Sequence, residues 1–104
     1  MNNTVPSAAI IASVIAGQIG LQTLMCLGAH DKCALEGAGS MQGAFQFKFS
    51  NCRKIKSGFV TIALMHDDTY RVIILTSRCV QAYFAEGIHD DQLRGILQDN
   101  IGAY

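Results

Sequence analysis

The sequence predicts an α+β fold in one domain over residues 1–104: an antiparallel sheet of about five strands in meander order, with an N-terminal and a C-terminal helix packed on it. Three observations carry this. Phe59 to Thr76 reads as two strands folded back at His66-Asp67-Asp68. Phe45, Phe47 and Phe49 alternate with Gln46, Lys48 and Ser50, the period-2 pattern of a half-buried strand. Both ends of the chain carry apolar residues three and four apart, which is helical spacing.

Taken in order, Pro6-Ser7 starts the first helix, Pro supplying a pre-set backbone angle and Ser a cap. Ile10, Ile11, Val14, Ile15 and Ile19 form its stripe, and Gly20 closes it. The opposite side carries Ser13, Ala16 and Gly17, small enough to let another helix or subunit approach. Leu21 to Leu27 is expected to be a short first strand ended by Gly28. The polar insertion from Gly28 to Cys33 then reads as a turn with an exposed His30. A His30-Asp31 acid/base pair would need a cleft and a second catalytic group, and the sequence offers neither.

Glu36 to Gly43 is a glycine-rich connection that lacks the Gly-Lys-Ser/Thr of a phosphate loop and runs into a strand instead of a helix. The three phenylalanines of that strand point to the core, not to a base-stacking platform, because no other aromatic core is available. Asn51 to Gly58 is a turn holding Arg53, Lys54 and Lys56, the one cluster of like charge. In the hairpin that follows, Val60, Ile62 and Leu64 lie on one face and Phe59, Thr61, Ala63 and Met65 on the other; Tyr70, Val72 and Ile74 alternate with Arg71, Ile73 and Leu75. Both faces are largely apolar, so the hairpin is either covered on both sides or paired with another subunit. Val80 to Ala85 makes a last strand, the chain turns at Glu86-Gly87, and a helix runs from about His89 to Asn100. Asp90 and Asp91 suit its positive dipole end, Ile88 staples onto Leu93, and Leu93, Ile96, Leu97 and Ile101 form its stripe before Gly102.

Composition narrows the function classes. Half of the residues are hydrophobic and 15% are charged, which describes an ordered globule with more apolar surface than so small a body can bury, and so a homo-oligomer. Eight basic and eight acidic side chains cancel, which argues against a nucleic-acid coat and against an acidic mimic of DNA. Cys26, Cys33, Cys52 and Cys79 include no Cys-x-x-Cys pair, so no metal site or cofactor is expected and the thiols are read as buried, in a reducing compartment. The uncharged first 29 residues lack the basic start of a secretory signal, and Gln18, Gly20, Gln22 and Thr23 interrupt a membrane span, so a cytoplasmic protein without a membrane segment is expected.

The order of Ile19-Gly20, Leu27-Gly28-Ala29, Phe45-Gln46-Phe47-Lys48-Phe49, Val60-Thr61-Ile62, Asp68-Thr69-Tyr70-Arg71-Val72 and Glu86-Gly87-Ile88 before Leu93 resembles a family of short phage and prophage proteins of uncharacterised function. Relatives carry a Thr-Gly-Ala-Lys stretch where this chain has Leu27-Gly28-Ala29-His30, and end the last helix in Thr-Gly where it has Ile101-Gly102. The resemblance implies a non-catalytic protein that binds a host protein or complex and blocks a defence system such as a CRISPR effector. Arg53, Lys54 and Lys56 in the turn and Asp67, Asp68 and Tyr70 at the hairpin are the candidate contacts, because loops on a rigid sheet carry recognition. The alternative is a sponge that takes up an anionic nucleotide signal at a subunit interface with the same basic turn and His30.

Overall fold

Ser7 caps the first helix, α1 (Ala8–Ile19): its Oγ accepts a 3.2 Å hydrogen bond from the Ile10 N–H, one of the donors a helix start leaves unpaired. The computed structural model describes residues 7–102, so Pro6 lies outside the described residues. Ala8, Ile11, Ala12, Ile15 and Ile19 are the buried face of α1. The stripe is narrower than expected, because Ile10 and Val14 are 57% and 50% exposed. Gly20 ends the helix at φ 95°, in the half of backbone space that a side chain disfavours.

Leu21 to Leu27 is not a strand. The segment forms a second short helix, α2 (Leu21–Cys26), which buries Thr23 and Leu24, with Leu27 as its cap. The buried residues are spaced by one, three and four and not by two. In so short an apolar run that difference is hard to read without the tertiary contacts.

Five strands follow: β1 (His30–Ala38), β2 (Met41–Ser50), β3 (Ser57–Met65), β4 (Tyr70–Thr76) and β5 (Gln81–Ile88). They lie in chain order in one sheet, each pairing antiparallel with the next. The expected α+β meander with a helix at each end is therefore the fold. Its first strand is the stretch read as a polar turn and a glycine-rich connection, with Gly39 at φ 59° making the tight return into β2. The last strand likewise runs through Glu86-Gly87, where the expected turn is replaced by an irregularity in the β4–β5 pairing and Gly87 takes φ 68°.

The core lies on one side of this sheet. Phe45, Phe47 and Phe49 of β2, Val60 and Ile62 of β3 and Val72 and Ile74 of β4 pack with Ile11, Ile15 and Ile19 of α1. The closing helix, α3 (Leu93–Ile101), enters through a 3-10 turn at Asp90–Gln92 and adds Leu93, Leu97 and Ile101. Its end is Gly102, left-handed at φ 76°.

Both long helices have a C-terminal carbonyl satisfied by a cation from elsewhere in the fold. Arg94 Nε of α3 donates to the Ile19 carbonyl of α1 at 3.1 Å, and Lys54 Nζ donates to the Asp99 carbonyl of α3. The backbone around Lys54 reinforces the second contact: the N–H of Arg53 donates to the Gly102 carbonyl and that of Lys54 to the Ile101 carbonyl. These carbonyls carry the negative end of the helix dipole, which suits a cation.

Candidate interaction surface

The two faces of the central hairpin differ. Val60, Ile62, Val72 and Ile74 are fully buried beneath the helices, whereas Phe59, Thr61, Ile73 and Leu75 on the other face are half-buried. Among the described residues the chain's own helices thus cover one side of the sheet, against the first of the two expected arrangements. Register places Phe59 opposite Leu75, Thr61 opposite Ile73, and Ile73 opposite Phe84, which is 46% exposed. Together they make an apolar centre across three strands.

Charge surrounds that centre. Lys48, opposite Phe59, holds its Nζ 5.6 Å from the centre of that ring and 3.3 Å from Asp31. Arg71 and Glu86 approach to 3.8 Å on the other flank, and Arg71 Nε is buried with no hydrogen-bond partner among the described residues. An apolar middle with a polar rim is the anatomy of a protein-recognition face. The hairpin's second oily face was visible in the sequence; its continuation into Phe84 depends on the β5 register.

The residues expected to bind do not form one surface. Arg53, Lys54 and Lys56 occupy the β2–β3 loop, and His30 sits at the same end, opposite Lys48 in the register. Asp67 and Asp68 lie in the β3–β4 turn at the other end, and strands of nine or ten residues rising about 3.3 Å each separate the two by roughly 30 Å. Tyr70 is not at the surface: it is 5% exposed on the helix-covered face, where its hydroxyl donates to Gln18 Oε1 at 2.6 Å. Burial there raises its phenol pKa, against the opposing pull of the Gln18 hydrogen bond.

Several of the others have local structural duties. Lys54 caps α3. Asp67 Oδ1 accepts from the Thr69 hydroxyl at 2.6 Å and the Thr69 N–H at 3.1 Å, closing the turn, and these bonds lower its carboxyl pKa. His30 Nδ1 lies 2.8 Å from the Gly28 carbonyl. Arg53 and Lys56 have exposed side chains.

The thiols are not the buried set the composition suggested. Only Cys52 is buried, its Sγ 3.4 Å from the Leu27 carbonyl and its pKa raised by loss of water. Cys26 is half-buried, and Cys33 and Cys79 are exposed. Among the described residues no three His, Cys, Asp or Glu side chains gather where they could hold a metal ion.

A second feature lies beside α1. A groove of about 500 Å³ runs between its small-residue flank and the edge strand β1, lined by Ala12, Ser13, Ala16, Gly17, Ala34 and Phe45. Leu21 and Met25 of α2, 69% and 70% exposed, add apolar surface nearby.

What fold and surface define is an α+β domain, helices on one side of a meander and a half-open sheet face on the other. No helix among the described residues is long and apolar enough to cross a membrane. Comparison with protein-family models, curated proteins and solved structures finds no match for this chain.

Proposed function

We propose that this chain is an interaction protein without chemistry of its own, which docks on a host protein or complex through its open sheet face and thereby blocks a defence system such as a CRISPR effector. The observation that carries the docking is the patch of half-buried Phe59, Ile73 and Leu75 with exposed Phe84, within a rim of Lys48, Arg71 and Glu86. Such a patch is held rigid by the sheet beneath it and costs little entropy to present. The partially desolvated Arg71, with an unpaired Nε, would gain from a carbonyl or carboxylate on the partner. The defence target rests on the resemblance to phage and prophage proteins. In this reading the chain works in the host cytoplasm as a homodimer.

The test is phage plating on cells whose CRISPR effector targets that phage. Expression of the chain should restore plaques, and Ile73→Asp or Phe84→Asp should abolish the rescue while circular dichroism stays unchanged. Plaque counts that remain suppressed with the unaltered chain, across the effector types tried, would rule out the defence role. Rescue that survives both substitutions would rule out the sheet face.

A further inference from the structure

We propose that two copies of this chain join edge to edge along β1, antiparallel about a two-fold axis at Ala34, with α1 of each copy meeting α1 of the other over the seam. This rests on the self-association in the reading above and is independent of the host target.

The edge invites pairing. Among the described residues β1 bonds only to β2, so the backbone groups along its outer side have no strand partner there, and every residue of it except Leu35 is exposed. Natural sheets protect such an edge with Pro, bulges, a covering loop or charged side chains; of these β1 carries Asp31, Lys32 and Glu36, and the last two can pair across a two-fold seam. Here the only irregularity is at the start, where Asp31 takes φ 51° and the register shifts between His30 and Cys33. The run from Cys33 to Ala38 is regular and contains no Pro.

The charges select one register. A two-fold axis perpendicular to the sheet keeps the helices of both copies on the same side, and it places one residue opposite its own copy. With Ala34 at the axis, Lys32 faces Glu36 of the second copy and Glu36 faces its Lys32, which gives two opposite-charge pairs across the seam. Centred on Cys33, Lys32 would face Ala34; centred on Leu35, it would face Ala38. Only the Ala34 register pairs both charges.

The helices then meet at packing distance. α1 lies over both β1 and β2. Strands about 4.8 Å apart put β1 about 2.4 Å and β2 about 7.2 Å from the axis, so a helix above the two sits about 4.8 Å from it. The two copies of α1 come about 9.6 Å apart, within the 8–10 Å range of packed helices. The flank they present is Ala9, Ser13, Ala16 and Gly17, which permits that approach, and Lys32, which lines the groove beside this flank, reaches the seam from the sheet below. α1 carries no charged residue, as a helix buried on most sides requires.

The experiment is a mass measurement by light scattering during gel filtration, over a dilution series. The unaltered chain should run at twice 11.2 kDa. Lys32→Glu or Glu36→Lys alone turns both cross-strand pairs into like-charge contacts and should weaken the dimer by about tenfold or more in Kd. An equal mixture of the two variants should recover the dimer, because each then supplies the charge the other needs. Ala34→Cys with Cys26, Cys33 and Cys79 changed to Ser should form a covalent dimer on mild oxidation, since directly opposed residues of antiparallel strands have Cα atoms about 4.5–5.5 Å apart, within the span of a disulfide. A monomer at every concentration overturns self-association itself. A dimer that ignores both charge reversals overturns this interface and leaves association standing.

Discussion

The Tyr70 hydroxyl donates a 2.6 Å hydrogen bond to the Gln18 side-chain carbonyl, joining β4 to α1 across 52 residues of chain. It is the polar contact that anchors the outer helix to the covered sheet face near the hairpin tip. Tyr70→Phe should cost about 1 kcal/mol in urea melts at neutral pH, because Gln18 loses its partner. The pH dependence has a definite sign. The folded pKa of Tyr70 is raised above 10.0, so its contribution is complete below that pH and is lost as pH rises through the higher folded value. The gap between the two proteins should narrow above about pH 10. A gap that widens with alkali would contradict the buried, neutral phenol.

Lys54 and its two basic neighbours should separate in effect. Lys54→Ala removes the cation at the α3 C-terminus and should lower stability by about 0.5–1 kcal/mol. Arg53→Ala and Lys56→Ala remove exposed side chains and should stay within about 0.5 kcal/mol of the parent. Thermal melts of the three single variants decide this; equal losses would show that the loop stabilises through charge in general.

Two glycines should respond oppositely to alanine. A Cβ on Gly58, in β3, would fall inside the van der Waals shell of the Leu75 carbonyl oxygen in the neighbouring strand, so Gly58→Ala should destabilise by about 2 kcal/mol or more. Gly95 lies within α3 with nothing near its would-be Cβ, so Gly95→Ala should stabilise by about 0.5–1 kcal/mol. Denaturant midpoints check both, and the Gly58 variant alone reads the β3–β4 spacing.

Asp67 sets an acid limb. Its carboxyl pKa is lowered from 3.8 by the Thr69 bonds, so its contribution is present above that pH and falls away as acid protonates it through the lower folded value. Asp67→Ala should therefore be less stable than the parent at neutral pH, with the difference closing in acid. A difference that persists at about pH 2 would point to a steric role for the side chain instead.

Much of this fold was legible because its elements carry their own periodicity. The alternation at Phe45, Phe47 and Phe49, the turn at His66-Asp67-Asp68, the cap at Ser7 and the stripe of Leu93, Leu97 and Ile101 all depend on neighbours in sequence. Tyr70 also shares its parity with Val72 and Ile74, so its burial could have been read from the alternation that made it look like a tip residue. β1 could not be read so: as an exposed edge strand it has no covered face, hence no alternation to mark it. α2 was lost for the opposite reason, being apolar on nearly every side and too short for its period to show.

By itself the sequence determined the architecture, the hairpin turn at His66-Asp67-Asp68 and the cap at Ser7, because backbone preference and hydrophobic period act over a few residues. Only the tertiary structure decided which face of the hairpin stays open, that the basic loop and the acidic turn lie at opposite ends, and that Lys54 belongs to a helix end 45 residues away. Those outcomes follow from where distant segments pack against one another. Between two largely apolar strand faces Thr61 and Arg71 are a weak local mark, and packing beneath the helices makes the choice final.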